Sequence, residues 1–280
     1  MKVKISILIF SVALLLFTSC DSTSENTDAP NLPPEGSMVM DFEDFNNTKT
    51  KSIADFNTKQ ADIGNWFYSA AVVGVWNTAL FTTLAVPVAS FRSAFAHQAV
   101  YLGNAKWQWS YTVDGFASQY SARLTGELTG NEVHWEMYVA KSGIGAFDEF
   151  MWFSGISNTD GKSGYWLLNH SAAFPENMLR IDWKVENDEI GNIKYTYVRD
   201  LNDQRNDDKF KGSYIVYGLQ TGDYDAFYDV HAYDNDKSTF VDVDIEWNRT
   251  NNNGRVMASY YFGDDDWHCW NSKGEDEDCN

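Results

Sequence analysis

The stretch VDVDIEW, residues 241–247, decides the fold class of this chain. Apolar and acidic side chains alternate along it with a period of two, so one face of the segment is buried and the other faces solvent. The same alternation returns in WQWSYTV at 107–113, VHWEMYV at 133–139 and IDWKV at 181–185. Such one-sided burial is typical of antiparallel sheets. Turn-rich breaks separate about ten such runs, which predicts a meander of about ten strands over residues 106–262.

A charge-free run precedes these strands: IGNWFYSAAVVGVWNTALFTTLAVPVASF, residues 63–91. Its apolar side chains lie all round a helical wheel, a pattern typical of helices that are buried or span a membrane. Polar residues and Pro87 interrupt the run before it reaches the roughly 18 apolar residues of a membrane span. We therefore predict two buried helices, at about 58–84 and 87–98, with Pro87 in the first turn of the second helix.

Together these patterns predict an α+β fold that is mainly β. A sheet of so many twisted strands tends to curl, so we expect a curved antiparallel sheet or half-barrel. We expect the two apolar helices to be buried against the concave face of that sheet. This packing predicts that Trp66, Trp76, Phe81 and Leu84 are core residues.

The N-terminus predicts an exported lipoprotein. Lys2 and Lys4 precede an apolar stretch at 5–17, which is too short and wrongly flanked for a spanning helix. The LFTSC that follows and ends at Cys20 resembles a bacterial lipobox, in which the cysteine becomes the acylated N-terminus. We predict a signal peptide at 1–19, acylation of Cys20 by palmitate or a similar chain, and attachment to the outer membrane, facing the periplasm or the cell surface.

Residues 20–37 are acidic and hold three of the five prolines, which predicts a flexible tether. The acidic residues after Cys20 also resemble the surface-export signal of lipoproteins from Bacteroidota, and a plain solvated spacer fits them equally well. The remainder, 38–280, has the length of a single globular domain. It opens on a predicted short strand at 38–42.

Cys269 and Cys279 remain once Cys20 is acylated. An even pair of cysteines in an oxidising compartment predicts a disulfide, here within a C-terminal loop at 263–280. The alternative makes His268 and Cys269 metal ligands, but the sequence holds no second pair of His or Cys nearby.

Five short segments carry a family resemblance. The chain resembles a family of uncharacterised lipoproteins from Bacteroidota in LPP at 32–34, MVMDF at 38–42, VYLG at 100–103, IEWNRT at 245–250 and WHCW at 267–270. The resemblance covers nearly the whole mature chain. It implies a lipoprotein address, and it implies no activity, cofactor or catalytic residue.

The charge of the chain bears on its partners. A formal net charge of −19 argues against a nucleic-acid partner, because an acidic chain repels phosphate groups. Some of these carboxylates are candidate ligands for a hard cation such as Ca²⁺. The candidates are Asp242, Asp244 and Glu246 on one strand face, with Asp264 and Asp266 near the cysteines. A solvated acidic surface is the competing interpretation, and no cofactor is predicted.

Three functional hypotheses follow. The first is a noncatalytic protein that binds an apolar ligand, such as a lipid, between helices and sheet. The second is a surface glycan-binding module, in which Trp and Tyr stack on sugar rings. The third is an enzyme, although the histidines lie far apart and Ser163 lacks the GxSxG spacing of a nucleophile. The candidate ligand-binding residues are the tryptophans Trp66, Trp76, Trp107, Trp109, Trp135, Trp183 and Trp247. The oligomeric state stays open.

Overall fold

The computed structural model describes residues 28–40, 42–46, 64–115 and 117–279. Within them, fourteen antiparallel strands form one open sheet whose spatial order follows the chain. The strands are β1 Val100–Gly103, β2 Lys106–Gly115, β3 Ser118–Thr129, β4 Glu132–Gly143, β5 Phe147–Asn158, β6 Ser163–Asn169, β7 Asn177–Glu186, β8 Glu189–Tyr197, β9 Tyr214–Leu219, β10 Ala226–Asp234, β11 Thr239–Trp247, β12 Gly254–Met257, β13 His268–Trp270 and β14 Asp276–Glu277. The predicted mainly-β meander is confirmed.

The predicted number of about ten strands is wrong. Four of the fourteen strands are only two to four residues long: β1, β12, β13 and β14. Such lengths are too short for a period of two to stand out in the sequence. β13 and β14 pair with each other inside the stretch that was expected to be a loop, 263–280.

The charge-free run forms one long helix and not the two that its sequence predicts. After a short helix α1 at Glu43–Asn46, this helix, α2, spans Asn65–Ala94 and continues through Pro87. A proline in a helix interior costs roughly 3 kcal/mol, because its N–H is missing and its ring meets the preceding turn. Pro87 is itself buried, and this packing offsets the cost. The first part of the predicted helices, 58–63, lies outside the described residues.

The contacts of α2 show that the sheet curves. The helix contacts β2 and β3 near one edge of the sheet and β12 and β13 near the other. At its N-terminal end the Asn65 amide donates to the Cys269 carbonyl, and near its C-terminal end the Ser90 carbonyl accepts from the Tyr111 hydroxyl. In a flat sheet β2 and β13 would lie about 53 Å apart, farther than the roughly 45 Å length of the whole helix. The sheet therefore bends around α2.

The segment before α2 fills the space between that helix and the middle of the sheet. A 3-10 helix at Glu35–Met38 contacts β7, β8 and α2. The Trp166 indole N–H donates to the Ser37 hydroxyl over 3.1 Å, and the Tyr195 hydroxyl donates to the Met38 carbonyl over 2.8 Å. Farther along, Phe42 and Phe45 pack on the ring of Tyr228 in β10. This segment completes the core.

Two predictions for this segment need correction. The described residues of 38–42 contain no strand, because the 3-10 helix ends at Met38 and α1 begins at Glu43. The predicted tether, 20–37, is not solvated along its whole length, since Ser37 is fully buried and Pro33 is buried as well. Its residues up to 27 lie outside the described part of the chain, as do the predicted signal peptide and Cys20.

A disulfide joins Cys269 to Cys279, as the sequence predicts, with their Cα atoms 5.3 Å apart. The bridge closes the β13–β14 hairpin, which carries Asp276. The Asp276 carboxylate accepts a hydrogen bond of 2.7 Å from the backbone N–H of Asn65, at the start of α2. Gly64, the residue before the helix, has no side chain that can accept such a bond, so the hairpin supplies the cap.

Candidate functional site

An apolar groove of about 450 Å³ lies between α2 and the residues 38–40 and 42, and we call it the α2 groove. One wall is a flank of the helix, and the other is formed by Met38, Val39, Met40 and Phe42. Tyr195 lines the groove as well, with its hydroxyl bonded to the Met38 carbonyl. Burial raises the pKa of Tyr195 well above its ordinary value, so this residue stays neutral. The groove has the volume and the apolar lining of a small-molecule site.

Helical spacing explains which side chains of α2 reach the groove. Lining positions recur every three or four residues, which places them on one flank of a helix. They include Asn77, Phe81, Ala85, Val88 and Arg92. The two small alanines of this flank, at 85 and 89, leave room beside their neighbours. A pair of alanines four residues apart is the one sequence signal that points to this open space.

Several side chains of α2 are exposed within the described part of the chain. Phe81 is 75% exposed and Val75 is 71% exposed, whereas Leu84 is only 5% exposed. Leu84 is therefore a core residue as predicted, and the same prediction for Phe81 is wrong. The reason is geometric: the sheet and the N-terminal segment cover one stripe of the helix, although its apolar residues lie all round.

The composition of α2 also raises the question whether this helix spans a membrane. The helix is long and apolar enough to cross a bilayer, yet only 22% of its most apolar 18-residue window is buried. One such helix is weak evidence for a span, because length and composition alone do not separate a span from a core helix, although core helices of soluble proteins are mostly buried and this one is not. Its threonines bond within the helix, as Thr82 and Thr83 donate to the carbonyls of Thr78 and Ala79. These bonds lower the cost of an apolar environment around the hydroxyls.

The groove has polar residues toward its two ends. Asn77 and Arg92 are fifteen positions apart, or about 22 Å along a helix axis. Among the described residues that line the groove, Arg92 alone is charged. Its Nε lies 3.8 Å from a carboxylate oxygen of Glu35, and both side chains are more than half exposed.

The predicted ligand-binding tryptophans lie elsewhere. Five of the seven are in the buried core: Trp107, Trp109, Trp135, Trp183 and Trp247. Trp66 and Trp76 are partly buried and pack against that core. None of the seven lines the α2 groove, whose mostly apolar lining includes Phe42, Phe81 and Tyr195. No motif in the sequence marks these residues as ligand contacts.

Three of the candidate metal ligands are paired with basic side chains. Asp242 pairs with His231 at 2.6 Å, Glu246 pairs with Arg255 at 2.6 Å, and Asp264 pairs with His268 at 2.9 Å. Burial, followed by repulsion from neighbouring carboxylates, raises the pKa of Asp244. Within the described ranges no group of three or more His, Cys, Asp or Glu side chains is placed to hold a metal ion. Asp242, Asp244, Glu246, Asp264 and Asp266 therefore support no metal proposal.

A second feature is an aromatic patch of Phe147, Phe150 and Trp152 on β5. The ring centroids of Phe147 and Phe150 are 5.4 Å apart and those of Phe150 and Trp152 are 5.3 Å apart, and all three residues are partly exposed. Beside it lies a smaller cavity of about 260 Å³ that Trp152 shares with His170. Partly exposed rings next to polar groups are the arrangement that a sugar ring needs.

Comparison with known proteins does not place the chain in a family. No protein-family model matches the sequence, and neither a curated protein nor a solved structure matches the chain. The α2 groove and the aromatic patch are therefore the features of the structure that bear on function.

Proposed function

We propose that this chain is a noncatalytic lipoprotein that binds an apolar ligand, an acyl chain, in the α2 groove. The observation that carries the proposal is the exposure of Phe81 in a groove whose lining is otherwise mostly apolar. Apolar surface of this kind on a soluble domain is typical of a binding site.

The energetics support an acyl chain as the ligand. Each methylene removed from water contributes about 0.8 kcal/mol, and the exposed apolar side chains of the groove gain as well. The walls of the groove are held by the core, because Met38 and Leu84 belong to the buried cluster. A largely formed groove loses little conformational freedom on binding, which favours affinity.

Blocking the groove is the direct test. The neutral dye N-phenyl-1-naphthylamine should bind the purified full-length protein with increased fluorescence, and Ala85→Trp should abolish this binding because the indole fills the groove. Ala85 is exposed, so the substitution leaves the core intact. Ala79→Trp is the matched control, since Ala79 is also exposed on α2 but does not line the groove.

Two outcomes would contradict the proposal. One is a wild-type protein that takes up no dye, and the other is equal loss of binding in Ala79→Trp and Ala85→Trp. If the wild type instead retained a polysaccharide, and Trp152→Ala removed that retention, the second candidate function would be favoured. That function is glycan binding at the aromatic patch, for which the partly exposed rings of Phe147, Phe150 and Trp152 are the supporting observation.

The proposed location rests on the lipobox-like sequence before Cys20. Cys20→Ser should move the protein from the membrane fraction to the soluble fraction, because the acyl chains that anchor it can no longer be attached. Ser22→Ala is the control, since it changes the neighbouring tether and keeps the cysteine. Fractionation followed by immunoblotting measures the distribution. A Cys20→Ser protein that still sediments with membranes would contradict the lipid anchor and would point to the exposed face of α2 as the attachment.

A further inference from the structure

We propose that the ligand of the α2 groove is a long-chain fatty acid whose carboxylate pairs with Arg92, an inference that rests on the proposed function. The groove offers one cation toward one end and an apolar path toward the other, which is the layout of a single-chain anionic amphiphile. A neutral lipid would leave the guanidinium unused.

The position of Arg92 sets the direction of the ligand. It lies in the last turn of α2, and Val88 and Ala89 line the groove about one turn before it. A carboxylate held by Arg92 would place its chain along these residues and on toward Phe81. The roughly 22 Å between Arg92 and Asn77 matches the length of one extended long chain, and the groove volume of about 450 Å³ suits one chain rather than two.

The charge of the protein makes a local cation necessary. The chain carries a formal net charge of −19, so its long-range field repels any anion. A direct contact can overcome this repulsion, and Arg92 is the one cation in the described lining of the groove. A guanidinium can hold a carboxylate through two parallel N–H bonds, which a lysine cannot do.

The present partner of Arg92 leaves it available. Glu35 lies 3.8 Å from the guanidinium, which is longer than a hydrogen bond, and the two side chains are 55% and 52% exposed. Exposed pairs of this kind are weak. Glu35 therefore acts as a competitor for the fatty acid, and its removal should tighten binding.

A displacement assay on the full-length protein tests the headgroup. Palmitate and hexadecanol share a chain and differ in charge, so each is titrated against bound N-phenyl-1-naphthylamine. Arg92→Met should weaken the binding of palmitate about tenfold, the effect of losing a charged hydrogen-bonded pair, and should weaken that of hexadecanol far less. Glu35→Gln should increase the affinity for palmitate and not that for hexadecanol. Arg180→Met is the control, because this substitution removes the same charge elsewhere. Arg180 pairs with Asp182 on the face of β7 opposite the buried Ile181.

The outcomes separate this inference from the proposed function. If palmitate and hexadecanol displace the dye equally and Arg92→Met changes neither, the headgroup assignment is wrong while the groove stands. If the wild type binds no dye at all, the proposed function itself fails. Native mass spectrometry should show one palmitate per chain, and a ligand-free dimer would mean that a second copy covers the groove. Thermal melting of Arg92→Met confirms that the variant is folded, and Arg92→Lys should recover part of the palmitate affinity.

Discussion

Trp166→Ala is expected to lower the free energy of unfolding by about 3–5 kcal/mol, the range for removing a buried large aromatic side chain. Trp166 is 1% exposed on β6. Its ring centroid lies 5.2 Å from that of Phe91 on α2 and 5.4 Å from that of Phe153 on β5. Its indole N–H also donates to Ser37. One side chain thus joins the sheet, the long helix and the N-terminal segment, and its loss leaves a cavity where all three meet.

Urea unfolding followed by circular dichroism measures this effect. Trp152→Ala is the matched control, since the same atoms are removed from a partly exposed site on the neighbouring strand. The control should lose clearly less free energy of unfolding than Trp166→Ala does. Equal losses would mean that the three elements do not depend on the Trp166 contacts, and the description of the core would be wrong.

Gly155→Ala should destabilise the protein by about 1–3 kcal/mol, although it adds a single methyl group. Gly155 on β5 lies opposite Trp135 on one side and Trp166 on the other. A Cβ atom at this position would come within 2.4 Å of the Trp166 ring and within 2.4 Å of the Tyr165 carbonyl oxygen. The indole can turn only by leaving its place in the core, and the carbonyl belongs to the sheet backbone.

Gly74→Ala serves as the opposite control for that prediction. Gly74 is in the interior of α2, and nothing lies within 4 Å of an added Cβ. Alanine is the better helix former, so this variant should gain about 0.5–1 kcal/mol. Both variants are measured by the same urea titration. A Gly155→Ala protein as stable as the wild type would show that the strands can part to admit the methyl group.

The α2 groove lies beside the part of the helix that packs in the core. Trp166 packs against Phe91 on the inner stripe of α2, and Phe81 and Val75 on the outer part of the helix are exposed. A helix fixed on one side gives a binding site one stable wall. The stripe of α2 that packs in the core and the flank that lines the groove are therefore neighbours on the same helix, and Leu84 belongs to both.

The sequence by itself determined the sheet and the disulfide. Alternation such as that of 241–247 depends only on the two-residue period of a strand, and short turns between such runs allow little besides a meander. The pairing of Cys269 with Cys279 follows from having two cysteines left once Cys20 is assigned to the lipid. These conclusions use local geometry and counting, so they do not require knowledge of what lies nearby in space.

Only the tertiary structure decided the helix and the groove. Phe81 and Leu84 are both apolar and three residues apart, yet one is 75% and the other 5% exposed. No local pattern separates them, because burial depends on which stripe of α2 meets the sheet and residues 38–42. The same holds for the continuous helix, since Pro87 is tolerated by its packing and the first N–H of α2 is capped by Asp276, 211 residues away. Contacts between distant segments set these features, and a period in the sequence cannot encode them.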